Sequence, residues 1–432
     1  MNMNKSVYMF APFKFLTIMH NNRLRQDEII RLQNKKLRRL IKHSFENVLY
    51  YHKLFRASGI RPDEIRTLDD LDKIPISKKT DFSDLDLKEI VASNIDPRKC
   101  TLHKTSGTSG IKLEFYRTNN FNLTNLLRAY LWQLKVGDKV HNRHLMIGGC
   151  WIPYNIFEKL GIFSTKRISP FEDTLMQIKQ IIEYDPSVLL ALPSALRVIA
   201  NEIIDQQIRV KIPLIFSGGE KLDNHTRQLA QEAFDAEVFE EYGMTEVGGI
   251  SGECRAHIGQ HVWSDSVFVE INRDGERVSS GEKGCITVTG LNRYATPFIR
   301  YNSEDVGMLI DDECSCGLQL PLMQITEGRM SDIILLNDGR RISAHEVCVG
   351  LYNVEGIKQF QLIQESVNRF IVKVVKKSGC IEGLYENVAQ ALEQKIGNVD
   401  VEVLIVDNIP RLKSGKFKQF LSKIHQSSCR KI

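Results

Sequence analysis

Apolar positions recur at helical spacing from about 27 to 55, where Leu37, Leu40, Ile41, Phe45 and Val48 align and Lys35, Lys36, Arg38, Arg39 and Lys42 fall between them. The basic residues read as the solvated face of that helix rather than as a binding patch. The stretch 68–82 follows, broken at Pro75, and 122–134 predicts a further helix. Short apolar runs at 145–147, 188–192 and 214–216 each end in Gly, Pro or Ser and alternate with helical patterns at 176–183 and 226–234. Buried strands alternating with helices predict an α/β sheet covered on both faces. Ligands in such sheets sit beyond the carboxyl ends of the strands, where Ser217, Gly218, Gly219 and Glu220 stand; Tyr242 follows the next short strand, 237–240.

After about Glu327 the texture changes. A strand at 333–336, a turn at Asn337-Asp338-Gly339, a helix at 344–351, strands at 360–362 and 370–375 and a helix at 384–396 describe a compact α+β module. The expected organisation is therefore a large N-terminal α/β domain, 1–327, and a small mobile C-terminal α+β domain, 328–432. A chain of 432 residues exceeds what one core supports, which agrees with more than one domain.

The 58 Lys and Arg against 53 Asp and Glu leave a small positive excess with no dominant block, so a nucleic-acid partner is not expected and an anionic small substrate is compatible. The apolar opening at 7–19 is interrupted by Pro12 and Lys14, lacks a cleavage site and is too short to span a bilayer. It is expected to dock in the core, with contact to a membrane surface as the less favoured reading. Nine cysteines with no secretory signal or disulfide-dense spacing fit a reduced, cytoplasmic protein.

Four motifs carry chemistry that would make sense in one nucleotide site. Thr105, Ser106, Gly107, Thr108, Ser109 and Gly110 offer amides and hydroxyls that could wrap pyrophosphate, the glycines permitting close approach. The hexapeptide is not a Walker A loop, because Ile111 rather than Gly precedes Lys112; the plainer reading is a Ser/Gly-rich turn. In Tyr242-Gly243-Met244-Thr245-Glu246 the ring could stack on adenine, Thr245 could hold the α-phosphate and Glu246 could bind magnesium (Mg2+). Asp305, placed after a strand, could accept bonds from both ribose hydroxyls. In Pro410-Arg-Leu-Lys-Ser-Gly-Lys416, Ser414 and Gly415 could present the Lys416 ammonium to a carboxylate and the α-phosphate, with Lys413 as its competitor.

In this order and at these distances the motifs resemble the adenylate-forming (ANL) superfamily, and within it the phenylacetate-CoA ligase and CapK-like branch. Tyr50 to Phe55, Pro75 to Asp81 and Leu192-Pro-Ser-Ala-Leu196 resemble that branch's opening helices and Pro-Ser signature, so the likeness spans nearly the whole chain. It implies an ATP site at 105–110, Tyr242, Thr245, Glu246 and Asp305, with Arg329 also touching the nucleotide and Lys416 as the adenylation lysine. Ser217 to Glu220 and Gly243 are expected around the same pocket, with Trp151 and Pro153 able to line an aryl slot and a place in the core as the equal alternative for Trp151. The implied activity is that of an AMP-forming ligase, joining a carboxylic acid to ATP as acyl-AMP and passing the acyl group to a thiol or amine, coenzyme A being the expected co-substrate. Family members rotate the C-terminal domain between these two half-reactions. Two departures stand out: Lys112 replaces the usual proline, and Ser331, beside Asp332, occupies the hinge carboxylate position. The alternatives are a CapK-like enzyme that activates an acid for a surface polysaccharide, and a non-catalytic AMP-binding protein.

Cys254 with His261 and Cys314 with Cys316 form two short-range pairs of the kind that converge on a tetrahedral structural zinc (Zn2+), with His257 as the rival fourth ligand.

Overall fold

The computed structural model describes residues 5–105, 111–148, 155–329, 333–377 and 382–424. The chain forms two compact units, one of Met1–Asn142, Ile152–Ser164 and Phe239–Thr326, the other of Arg143–Trp151, Thr165–Val238 and Glu327–Ile432.

In the first unit the predicted long helix is two helices, Gln26–Asn47 and Leu49–Ala57. Val48 breaks them: its backbone is extended (φ −119°, ψ 112°) and its N–H closes the first helix on the Ser44 carbonyl. Ile29, Leu37, Leu40 and Ile41 share the buried face, each contributing about 1.5–3 kcal/mol by leaving water. The strands order as Glu276–Arg277, Val267–Arg273, Gly284–Gly290, Tyr301–Ile310, Leu322–Arg329, Gln260–Val262, Gly248–Glu253 and Glu237–Met244. Antiparallel pairing such as Val267 with Gly290 and Tyr242 with Ser251 fixes their register. This antiparallel array is absent from the sequence reading, which expected only a helix-covered sheet. Two of the expected site positions shift with it: Tyr242 lies inside Glu237–Met244 rather than after it, and Asp305 lies inside Tyr301–Ile310 rather than beyond a strand.

The second unit holds the parallel strands in the order Leu214–Gly218, Val188–Ala191, His144–Ile147 and Thr165–Ile168. Helices Thr174–Tyr184 and Asn224–Phe234 are each started by an aspartate side chain, Asp173 and Asp223, that accepts backbone N–H bonds. Each also ends on an aspartate in the left-handed region, Asp185 and Asp235, both at φ 48°. A third helix, Pro193–Asp205, follows the Val188 strand directly, with Pro193 in its first turn, where the missing N–H is harmless. The same unit contains a four-stranded sheet ordered Asp400–Ile405, Arg369–Lys376, Ile357–Ser366, Phe420–Ser422, packed on helices Ala344–Tyr352 and Leu384–Ile396. This matches the predicted α+β module, with its two last strands added.

The N-terminal segment forms a 3-10 turn, Lys5–Phe10, and a helix, Ala11–Asn21. Ala11 and Ile18 pack on Leu123, Leu127 and Leu131, so one side is docked as expected. Among the described residues no helix is long and apolar enough to cross a membrane.

Candidate active site and metal centre

The hairpin of Cys100–Lys104 and Glu114–Thr118 carries the serine- and glycine-rich loop at its tip. Thr105 closes its mouth: the Thr105 N–H donates to the Leu113 carbonyl at 2.9 Å and its Oγ1 accepts from the Leu113 N–H at 3.0 Å. Ser106, Gly107, Thr108, Ser109 and Gly110 lie outside the described residues, as do Trp151, Pro153, Ser331, Asp332 and the side chain of Arg329.

Residues of the second and third motifs meet in the first unit. The Tyr242 hydroxyl donates to Asp305 Oδ2 at 2.8 Å, so the aromatic ring and the candidate ribose carboxylate share one locus. Glu246, buried, accepts from the Tyr301 hydroxyl at 3.1 Å, while Thr245 beside it is exposed. Gly243 has a steric role: a Cβ there would stand 2.8 Å from the Gly248 carbonyl, at the bulge where the strand turns from Tyr242. Arg300 is buried, in an ion pair with Glu270 at 2.9 Å, and donates to the Ile74 carbonyl at 2.8 Å.

Two arginines that sequence reasoning missed lie next to this cluster. Arg117 donates to the Thr245 carbonyl. Arg293 sits among the rings of Phe115, Phe121 and Phe298, at 5.2, 4.7 and 5.4 Å from their centroids. Burial, then mutual repulsion, drives the Arg293 guanidinium well below its ordinary value, and Glu246 opposes that shift. Burial lowers Arg117 to about 10. His103 is pushed down to about 3 by burial and by these two guanidiniums, so it is neutral at physiological pH. The available signal was the basic residue at the end of the strand after the glycine loop, but a lone arginine in an alternating strand does not announce itself.

Glu241 precedes Tyr242, and burial pushes its carboxyl up to about 7 from the ordinary 4.5. Between those two values the unfolded chain releases a proton that the folded chain keeps, so stability falls as pH rises through this window and levels off above it. Urea midpoints measured from pH 4.5 to 7.5 should show that decline, and Glu241→Gln should flatten it; parallel profiles for the two proteins would remove the assignment.

The cysteine cluster also forms within the first unit. The ligand atoms of Cys254, His261, Cys314 and Cys316 all lie within 4.8 Å of one another. Cys254 Sγ is 3.4 Å from Cys314 Sγ, and Cys316 Sγ is 3.2 Å from His261 Nε2. A zinc tetrahedron with Zn–S bonds near 2.3 Å has sulfur–sulfur edges of about 3.8 Å, so the four residues fit the ion with only small adjustment. His261 Nδ1 stands 3.3 Å from the Leu320 carbonyl, an outer partner that leaves Nε2 for the metal. His257 is elsewhere, 3.5 Å from Glu253 and stacked on Phe239 at 5.1 Å, so it stands apart from the cluster that His261 joins.

In the second unit, Ser217 to Glu220 lie at the carboxyl end of Leu214–Gly218. The Ser217 hydroxyl is used within the sheet, donating to the Ala191 carbonyl at 2.9 Å. Gly219 has φ +82°, and a Cβ built on it would stand 3.8 Å from Lys416 Cε and 3.9 Å from Nζ. The late lysine therefore passes directly over this glycine. Its loop is held from two sides. The Glu220 carboxylate accepts the Phe417 N–H at 2.8 Å and the Ser194 N–H at 3.0 Å. Arg411 donates to Ser194 Oγ at 2.8 Å, to the Ser194 carbonyl at 3.3 Å and to the Gly415 carbonyl at 3.2 Å. Gly415 itself, at φ +81°, makes the tight turn in which its N–H reaches the Leu412 carbonyl. Glu220 thus serves the lysine loop.

Residues 118–294 match the family model for AMP-binding enzymes, and residues 334–423 match that for the CapK C-terminal domain. The chain thus carries an AMP-binding segment followed by a CapK C-terminal segment. A phenylacetate-coenzyme A ligase of Thermus thermophilus is 25% identical over 441 residues, covering 92% of this chain and 97% of that protein. A phenylacetate-coenzyme A ligase of Escherichia coli is 27% identical over 333 residues, 72% of this chain and 73% of its own. Among solved structures, a 2-hydroxyisobutyryl-CoA ligase in the postadenylation state with 2-HIB-AMP shares the fold at a TM-score of 0.79 and 17% identity, covering 93% of this chain and 91% of its own. Across these two matched segments the dispersed motifs, rather than a contiguous signature, define the candidate site.

Proposed function

We propose that this protein is an AMP-forming ligase that joins a carboxylic acid to ATP as acyl-AMP and then passes the acyl group to the thiol of coenzyme A. The observation that carries the reading is the union of Tyr242 with Asp305 and of Thr245 and Glu246 with Arg117, in and beside an AMP-binding segment, 118–294, in a chain whose relatives are named CoA ligases. The Tyr242 ring would stack on adenine while Asp305 grips the ribose. Glu246 would hold a magnesium ion, which would supply positive charge against the phosphates. Arg117 and Arg293 each bury an Nε–H that has no acceptor among the described residues, a cationic excess suited to polyphosphate. Lys416 would neutralise charge developing as the acid attacks the α-phosphate. Cys254, His261, Cys314 and Cys316 would hold a structural zinc. ATP–pyrophosphate exchange across aryl, hydroxy and fatty acids, followed by coenzyme A consumption, tests the proposal; no exchange with any acid in the presence of magnesium would overturn it.

The CapK C-terminal match favours a second reading, in which an amine on a surface polysaccharide receives the acyl group. Exchange without coenzyme A turnover would select it.

The clamp around the lysine loop makes its own prediction. Glu220→Ala frees the Phe417 and Ser194 amides, so exchange should fall about 10- to 50-fold while the acyl transfer from supplied acyl-AMP is unchanged. Glu220→Gln, which retains one acceptor oxygen, should recover part of the loss. Equal damage to both half-reactions would show that Glu220 matters only for folding.

A further inference from the structure

The 3-10 turn Lys5–Phe10 and the helix Ala11–Asn21 together expose large apolar side chains. Met9 is 77% exposed, Phe10 62%, Phe13 76% and Leu16 55%, while Ala11 and Ile18 on the opposite side are buried against Leu123, Leu127 and Leu131. Single exposed apolar side chains are ordinary, but four within eight residues, on a turn and the helix that follows it and is docked by its other side, make a patch. Leu160, 69% exposed, lies three residues beyond Phe157, whose ring meets Tyr8 edge-on at 5.5 Å.

The charge carried by the segment itself has one sign. Up to Gln26 the sequence contains Lys5, Lys14, Arg23 and Arg25 and neither Asp nor Glu. Lys36 stands close enough to feel Lys14, and Lys135 close enough to feel Arg23. The acids on adjoining elements face inward or are paired: Asp265 with Arg128 and Asn21, Asp27 with Arg31, Glu28 with Arg25, while Glu158 is buried and hydrogen-bonded by Asn155. A second copy docked about a two-fold axis on this face would bring the same cations against each other with no acid between them. An anionic bilayer suits both features, its phosphates meeting the cations and its headgroup–acyl boundary taking the phenyl rings. We propose that this face, through Met9, Phe10, Phe13 and Leu16, seats the enzyme on an anionic membrane surface.

Co-sedimentation of the full chain with vesicles tests this. Binding should be at least about tenfold stronger to phosphatidylcholine vesicles containing phosphatidylglycerol than to phosphatidylcholine alone. Phe10→Ser/Phe13→Ser should weaken it by a further factor of about ten or more, with circular dichroism and ATP–pyrophosphate exchange unchanged. The proposal is overturned if the anionic vesicles leave the protein in solution, if the double variant binds as well as the parent, or if sedimentation velocity without lipid shows a dimer that the double substitution dissociates. The vesicle result reads independently of whether any acid is activated.

Discussion

Lys416→Ala is expected to lower ATP–pyrophosphate exchange by about 10²- to 10³-fold, the size of effect seen when one preorganised charge aimed at a developing negative charge is removed. The ammonium passes over Gly219, with the loop fixed by Glu220 and Arg411, so little conformational entropy is lost when substrates bind. Transfer of the acyl group from supplied acyl-AMP to the thiol should survive, because no charge develops on an α-phosphate attacked by a carboxylate in that step. Lys413→Ala should change exchange little. A Lys416→Ala protein that loses both half-reactions together, or a Lys413→Ala protein that loses exchange instead, would show that the role has been given to the wrong group.

The second large effect concerns the cysteine cluster. Protein purified without chelator is expected to carry about one zinc per chain, and Cys314→Ser/Cys316→Ser to carry none. Burial pushes the Cys254 thiol up to about 12, so without a cation it stays protonated and the loop from Asp311 to Pro321 loses its anchor. A loss of several kcal/mol, at roughly 2–4 °C per kcal/mol for a domain of this size, lowers the melting temperature by about 10 °C or more. Cys285→Ser, in the strand Gly284–Gly290, serves as the control and should leave the metal content unchanged. Metal-free protein that melts at the parent temperature would dismiss a structural ion.

Much of the second unit was legible because its code is local. The runs at 188–192 and 214–216 became the strands Val188–Ala191 and Leu214–Gly218, and 384–396 became the helix Leu384–Ile396. The first unit was harder to read. The strand Gly248–Glu253 contains three glycines and reads as a turn by propensity. A Cβ at Gly249 would stand 2.0 Å from Trp263, and one at Gly252 2.8 Å from Trp132, so the glycines admit indole rings that arrive from elsewhere in the chain. Helix Pro193–Asp205 escaped notice because Leu192-Pro-Ser was read as a signature rather than as a helix start.

The candidate site divides along the same line. Sequence alone determined which groups are present: a hydroxyl and glycine loop, an aromatic with nearby carboxylates, four sulfur and imidazole ligands, a late lysine. Their chemical type is a property of each residue and needs no neighbour. Only tertiary structure decided that Tyr242 bonds Asp305, that His261 rather than His257 joins the cysteines, that Arg117 and Arg293 flank Glu246, and that Glu220 grips the lysine loop. Those pairings join positions far apart along the chain, and strand register and packing, not residue type, set the distances over which hydrogen bonds and charges act.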